Sequence, residues 1–196
     1  EGARYAKQAD KKVNVHFTIS PEHEELFQEL IDSKKQEIEK DQDIEFQISF
    51  SQQKPSTDMV AATMDNELFR NDDGSLLFRP GGHGALIENL NDLESEIIFI
   101  KNIDNVVPDK IKDITVDYKK ALAGILIAYQ EKVFNYLNFL DERNVKDNEL
   151  AEIEEFIVNE LNYQFQKETD GEKLVEQLFN ILNRPIRVCG MVKNEG

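Results

Sequence analysis

Two segments hold residue types that can handle phosphate and a metal ion. The first is Arg79-Pro80-Gly81-Gly82-His83-Gly84, which runs into the apolar pattern Ala85-Leu-Ile-Glu-Asn-Leu-Asn91. Gly81, Gly82 and Gly84 let the backbone approach a ligand and take up positive φ. A helix starting near Ala85 offers unpaired N–H groups to an anion, and His83 can donate to a phosphate or sugar oxygen. The second segment is an apolar run over residues 97–100 followed by Lys101, Asn102, Ile103, Asp104 and Asn105. A carboxylate just past a strand end, Asp104, suits Mg²⁺, which takes one or two carboxylates plus substrate phosphates. Asn102 shares a side with Asp104 if the chain stays extended. Each segment also has a plain reading. The glycines can be a turn between two elements, and Asn102, Asp104 and Asn105 a turn before Pro108.

A third stretch, Phe50-Ser-Gln-Gln-Lys54, supplies amides that can read a base edge and one cation; the alternative is a solvent-facing polar loop. Lys54 and Arg79 are the basic residues expected near phosphate, against the usual surface role of such side chains. His16 and His23 have no second histidine or cysteine at ligand spacing, so zinc is not expected. The run 152–155 reads as a solvated helix face.

The elements that must position these residues alternate. Residues 13–19 and 44–50 carry β-branched, period-two patterns of strands. Between them, Ser20 and Pro21 mark a helix start, with Glu22, Glu24 and Glu25 in its first turn. Leu26, Leu30 and Ile31 form its apolar stripe, which runs out in the polar stretch 34–43. Residues 59–63 and 75–78 read as short strands around the turn Asn71-Asp-Asp-Gly74. After the glycine loop come a short helix over 85–91 and a buried strand over 97–101. Residues 109–140, 147–162 and 171–182 read as helices. The first of these carries Tyr118, Leu122, Ile125, Leu126, Tyr129 and Val133 on one side. Its Ala123-Gly124 pair suggests close packing. Residues 186–191 read as a last strand, with Cys189 buried in it. Strands alternating with helices argue for α/β with a mainly parallel sheet and flanking helices. The mostly helical block 109–182 is a subdomain or an insertion.

The chain has 196 residues, a net charge of −16 and a pI of about 4.6, with 40% hydrophobic and 32% charged residues. Such a charge disfavours nucleic acid and anionic membrane surfaces as partners. A phosphate ligand then needs local help from loop N–H groups, basic side chains or a divalent cation. A single cysteine excludes a disulfide within the chain and fits a reducing, cytoplasmic setting. No apolar run approaches a membrane span.

Pro80-Gly-Gly-His-Gly84, an apolar helix and then Ile98-Phe-Ile-Lys-Asn-Ile-Asp-Asn105 resemble the UTP–glucose-1-phosphate uridylyltransferase and UDP-sugar pyrophosphorylase superfamily. There a Pro-x-Gly-His-Gly loop precedes a strand ending in Asn-x-Asp-Asn. Almost the whole chain is similar to the bacterial family called domain of unknown function 4301. That likeness is carried by Phe50-Ser-Gln-Gln-Lys54, Ser56-Thr-Asp58, Leu77 through Asn91 and Arg187-Val-Cys-Gly-Met-Val-Lys-Asn194. The superfamily resemblance implies a Rossmann-like nucleotidyltransferase that joins a sugar 1-phosphate to a nucleoside triphosphate and releases pyrophosphate. It implies that His83 and its glycines lie against the nucleotide, that Asn102 contacts the sugar and that Asp104 binds Mg²⁺. By analogy the resemblance implies that Gln53, with Gln52 as the alternative, reads the base.

Three departures stand out. The superfamily's first glycine-rich loop and its supporting lysine are absent, Ala85 replaces an acidic residue, and Lys101 replaces a neutral one. The resemblance therefore implies the central part of a longer protein, inactive in isolation. A non-catalytic nucleotide or phospho-sugar binder and a structural α/β domain are the rival readings.

Overall fold

The computed structural model describes residues 1–142 and 145–191. The chain divides into two compact units, Glu1–Asp109 and Lys110–Gly196. It is mixed α/β, and among the described residues the strands form two small sheets of two.

The first unit opens on a strand–helix–strand segment: β1 (Lys12–Thr18), α1 (Glu24–Gln42) and β2 (Glu45–Ser51). β1 and β2 pair in parallel from Lys12↔Glu45 to Thr18↔Ser51. Because side chains alternate along a strand, Val13, Val15 and Phe17 share one face with Phe46, Ile48 and Phe50. His16 and Thr18 share the other with Ser49 and Ser51. The ring of Phe17 lies 5.5 Å from Phe27 of α1 and 5.9 Å from Phe50.

Pro21 starts a 3₁₀ turn, Pro21–His23, and α1 follows directly. Its inward stripe is Phe27 and Ile31, not the expected Leu26 and Leu30, which are 66% and 59% exposed. The polar stretch after Lys34 stays helical. Lys34–Glu37 and Lys35–Glu39 pair at helical spacing, and Glu39 Oε1 accepts the Phe46 N–H at 2.7 Å. Asp43 ends the helix at φ 50, a left-handed position, and Lys11 donates to its carboxylate.

A short antiparallel pair follows: β3 (Met59–Val60) against β4 (Phe78–Arg79). Bridges Ala62↔Leu68 and Arg70↔Leu76 lie between them, the first turned at Asn66 with φ 62 and the second at Gly74 with φ 83. A sheet that is mainly parallel is therefore not what forms; one pair is parallel and one antiparallel.

Two expected strands are irregular. Residues 97–101 form no ladder. A short apolar run signals burial but not extended pairing, and here the burial is local and partial. Phe99 packs on Tyr5 at 4.8 Å, Ile100 is 62% exposed, and Lys101 reaches both Glu1 carboxylate oxygens at 2.6 and 2.7 Å. Residues 186–191 also lack strand pairing, and Cys189 is exposed rather than buried. Of the run 187–194, residues 192–194 lie outside the described residues.

In the second unit, α3 (Lys112–Asp141), α4 (Asp147–Glu155) and α5 (Gly171–Leu182) build a helical core. α4 continues into a π-helical turn, Phe156–Glu160. Val133, Tyr136 and Leu140 of α3 meet Ile153, Phe156 and Ile157, and Leu174, Leu178 and Leu182 of α5. The three- and four-residue spacings are those of one helix face. Asp170 caps α5 by accepting the Lys173 N–H at 3.1 Å. Tyr118 and Ile125 fall off the α3 stripe at 70% and 46% exposure. Gly124 is exposed, and a Cβ there would meet nothing within 4 Å, so close packing is not its role. Among the described residues no helix is long and apolar enough to cross a membrane.

Candidate functional site

The carboxyl ends of β1 and β2 converge on Ser51. Its Oγ lies 2.9 Å from His16 Nε2, 3.1 Å from Thr18 Oγ1 and 3.0 Å from Asn89 Nδ2. His16 Nδ1 lies 2.8 Å from Ser49 Oγ. Either His16 tautomer satisfies the set, and in one of the two the protons run as follows. Asn89 donates to Ser51, Ser51 donates to His16 Nε2, and His16 Nδ1–H donates to Ser49. Both ring nitrogens of His16 are thereby engaged.

Asn89 belongs to α2 (Ile87–Asn91), which the glycine loop leads into. It is 4% exposed, and its amide also donates to the Gln52 carbonyl at 2.8 Å. Its Oδ1 is buried without a hydrogen-bond partner. An orphaned buried acceptor costs about 1–3 kcal/mol, so the two donations must outweigh that cost.

The glycine loop differs from its expectation in two ways. Gly81, Gly82 and Gly84 do not have positive φ. Residues His83–Leu86 form a 3₁₀ turn in which Ala85 N–H already donates to Gly82 at 2.9 Å, and α2 is only five residues long. The anion-attracting end expected near Ala85 is therefore weak, because few aligned peptide dipoles stand behind it. Gly81 is needed for close approach instead. A Cβ there would come within 2.8 Å of both Ala85 Cβ and the Thr57 carbonyl, and within 3.5 Å of Gln53 Nε2.

The loop after β2 is thus seated on the glycine loop. Within it, Gln53 Nε2 donates to Asp58 at 3.3 Å, and Thr57 Oγ1 donates to the Lys54 carbonyl at 2.7 Å. Lys54 Nζ pairs with Asp92, just past α2, at 2.8 and 2.9 Å. Both partners are partly exposed, so the pair contributes about 0–1 kcal/mol.

The structure therefore brings together Gln53, Lys54 and Gly81. Gly82, His83 and Gly84 are exposed on the adjoining turn, and Arg79 is exposed on β4. Asn102 and Asp104 sit in a 3₁₀ turn rather than past a strand end. Asn102 Nδ2 donates to Asp104 Oδ2 at 3.1 Å. Among the described residues no hydrogen bond or ion pair joins either one to the glycine loop. Nor is any group of three or more His, Cys, Asp or Glu there placed to hold a metal ion.

The family model for Domain of unknown function (DUF4301) matches residues 1–196. The chain belongs to that family. It matches no curated protein and no solved structure.

In this member of domain of unknown function 4301, sequence reasoning missed Ser51, Asn89 and Asp92 as parts of the site, and His16 as more than a strand residue. One signal for Asn89 was present. It falls three residues after Leu86 and four before Leu93, on the helix's apolar stripe, where a carboxamide is out of place unless bonded. Nothing in the spacing announced the Lys54–Asp92 pair.

Proposed function

We propose that the chain carries part of a nucleotide site of the sugar-nucleotide-forming type. The observation that supports it most is the seating of the Gln53–Lys54 loop on Gly81 at the carboxyl ends of a parallel strand pair. Ligands of open α/β sheets bind at such ends. In this reading Gln53 faces the base, Gly82, His83 and Gly84 lie along the α-phosphate, and Arg79 and Lys54 supply positive charge. Asn102 contacts the sugar. The finer Rossmann-like nucleotidyltransferase fold belongs to the same proposal and rests on the likeness to the UDP-sugar pyrophosphorylases.

An oxygen of the sugar 1-phosphate attacks the α-phosphorus, the bond from that phosphorus to the bridging oxygen breaks, and pyrophosphate leaves. Such transfer depends on in-line positioning and charge neutralisation. Asp104 fits Mg²⁺ as a single exposed carboxylate on an ion held mainly by ligand oxygens. Bound there, the ion would neutralise phosphate charge. The chain's own groups do the positioning, with Asn102 steadying the Asp104 carboxylate.

One feature favours a second reading, a non-catalytic nucleotide or phospho-sugar binder: the Lys54 ammonium is already engaged by Asp92. A single experiment separates the two. The full-length protein is incubated with Mg²⁺, each nucleoside triphosphate and a panel of sugar 1-phosphates, and pyrophosphate release is followed. Release that falls on Asp104→Ala supports the transferase. Triphosphate binding without release supports the binder, and neither result with any pair refutes both.

A further inference from the structure

We infer that Asn89 is a positioning residue that keys the loop after β2 to the glycine loop, so that Gln53 and Lys54 meet a ligand from a fixed edge. The inference rests on the nucleotide reading above and adds to it the device that holds the edge in place. The buried residues of the first unit are Ala3, Val13 and Asn89. A carboxamide is the costliest of the three to bury, and an apolar residue of similar shape would fill the space without an orphaned oxygen. What Asn89 supplies instead is a pair of donors. One Nδ2 hydrogen goes to Ser51 Oγ and the other to the Gln52 carbonyl, the backbone atom directly ahead of Gln53. Two bonds from one planar group fix its rotation as well as its place. Ser51 is itself tied to the sheet through His16 and Thr18. The amide therefore references the loop to β1, β2 and α2 at once. Two further ties hold the loop, the partly exposed ion pair Lys54–Asp92 just past α2 and the close approach of Gly81 to Thr57. Neither is directional enough to set the orientation of residue 53.

The test uses Asn89→Leu, which removes the donors and the orphaned oxygen together, and Asn89→Asp, which keeps the shape but sets a carboxylate oxygen against the Gln52 carbonyl, acceptor against acceptor. Asn91→Ala on the exposed side of α2 is the control. Full-length protein is titrated calorimetrically with each of the four ribonucleoside triphosphates and Mg²⁺. Peptide-resolved hydrogen exchange is then measured over 52–58 and over 12–18. We expect exchange over 52–58 to accelerate while 12–18 is unchanged. Affinity for the best-bound triphosphate should fall by about tenfold or more, with discrimination among bases reduced, as a misplaced contact group implies. Folded variants with wild-type exchange over 52–58, or with wild-type affinity and base preference, overturn the inference. If the wild type binds none of the four, the nucleotide reading fails, and the exchange measurement alone decides whether Asn89 keys the loop. Should both Asn89 variants fail to fold, Ser51→Ala withdraws one of the two acceptors from the loop side, and the same readouts decide.

Discussion

Replacing Gly81 by alanine tests the seating of the two loops directly. The added Cβ would lie 2.8 Å from Ala85 Cβ and 2.8 Å from the Thr57 carbonyl oxygen. Carbon pairs settle at about 3.5–4.0 Å, so the methyl intrudes by roughly an ångström on Ala85 Cβ and by somewhat less on the smaller carbonyl oxygen. One side is backbone and the other a methyl with no rotamer to escape to, so the loops themselves must part. Overpacking of this kind costs about 1–3 kcal/mol. Losing the glycine's freedom in the unfolded chain offsets about 0.4–1 kcal/mol, which leaves a net loss of about 0–2.6 kcal/mol, while the difference from an uncrowded Gly→Ala change keeps the full overpacking cost. Gly82→Ala and Gly84→Ala are the internal standards. Neither Cβ would meet anything within 4 Å, and neither backbone is left-handed, so both should be neutral or slightly stabilising. The chain lacks tryptophan, so urea melts are best followed by far-ultraviolet circular dichroism. Exchange rates over 52–58 assign the loss to the loop. If Gly81→Ala melts within about 0.5 kcal/mol of Gly82→Ala, less than the smallest overpacking cost, the two loops are not in close approach and do not form one site.

Gly124→Ala, on an exposed position inside α3 with open space around it, should stabilise the second unit by about 0.5–1 kcal/mol, seen as a raised melting midpoint. Leu178→Ala removes a fully buried side chain from the helical core and should cost about 2–5 kcal/mol; a loss below 1 kcal/mol in denaturant would contradict that packing. Asp92→Asn releases Lys54. Stability should change by less than about 1 kcal/mol, while affinity for a triphosphate rises in titrations, and unchanged affinity would mean that Lys54 does not face phosphate. Tyr136 is buried and donates to Glu152 at 2.7 Å, which holds its hydroxyl protonated well above the usual tyrosine range. The folded state thus keeps that proton more tightly than the unfolded chain. The stabilisation is complete below about pH 10 and is lost as pH climbs toward the raised value. Alkaline melts of Tyr136→Phe should lack that component of the decline.

What could be read in the sequence was whatever repeats. Period-two patterns located β1 and β2 within a residue or so, and α5 runs from Gly171 to Leu182 as its pattern implied. Charged tails were misjudged because ion pairs at Lys34 and Lys35 sustain α1 where apolar spacing stops. The run 97–101 was misjudged for the opposite reason. Its apolar side chains are partly covered by Tyr5 and its neighbours without a strand alongside, and composition cannot distinguish those cases. At the candidate site the glycines were visible but the reason for them was not, since the need at Gly81 comes from Thr57 and Ala85 meeting it in space. Asn89 makes its bonds to residues 37 and 38 positions away, beyond the reach of any local pattern.

The π-helical turn at Phe156–Glu160 carries a consequence for tolerated chain length. Leu161 N–H bonds back to Phe156 across five residues rather than four, at 3.1 Å, so this turn holds one residue more than an α-helix needs. Each residue of an α-helix rotates the next by about 100°, and a surplus residue inside a helix would normally swing everything after it off the core. Here the chain leaves the helix almost at once, with Asn162 at φ 50, and the phase error is never passed on. The anchors Ile153, Phe156 and Ile157 all lie ahead of residues 158–160. Single-residue deletions confined to 158–160 should therefore be absorbed by reverting the wide turn to an ordinary one. The same deletion in the middle of α3 would rotate Val133, Tyr136 and Leu140 away from the residues they pack against.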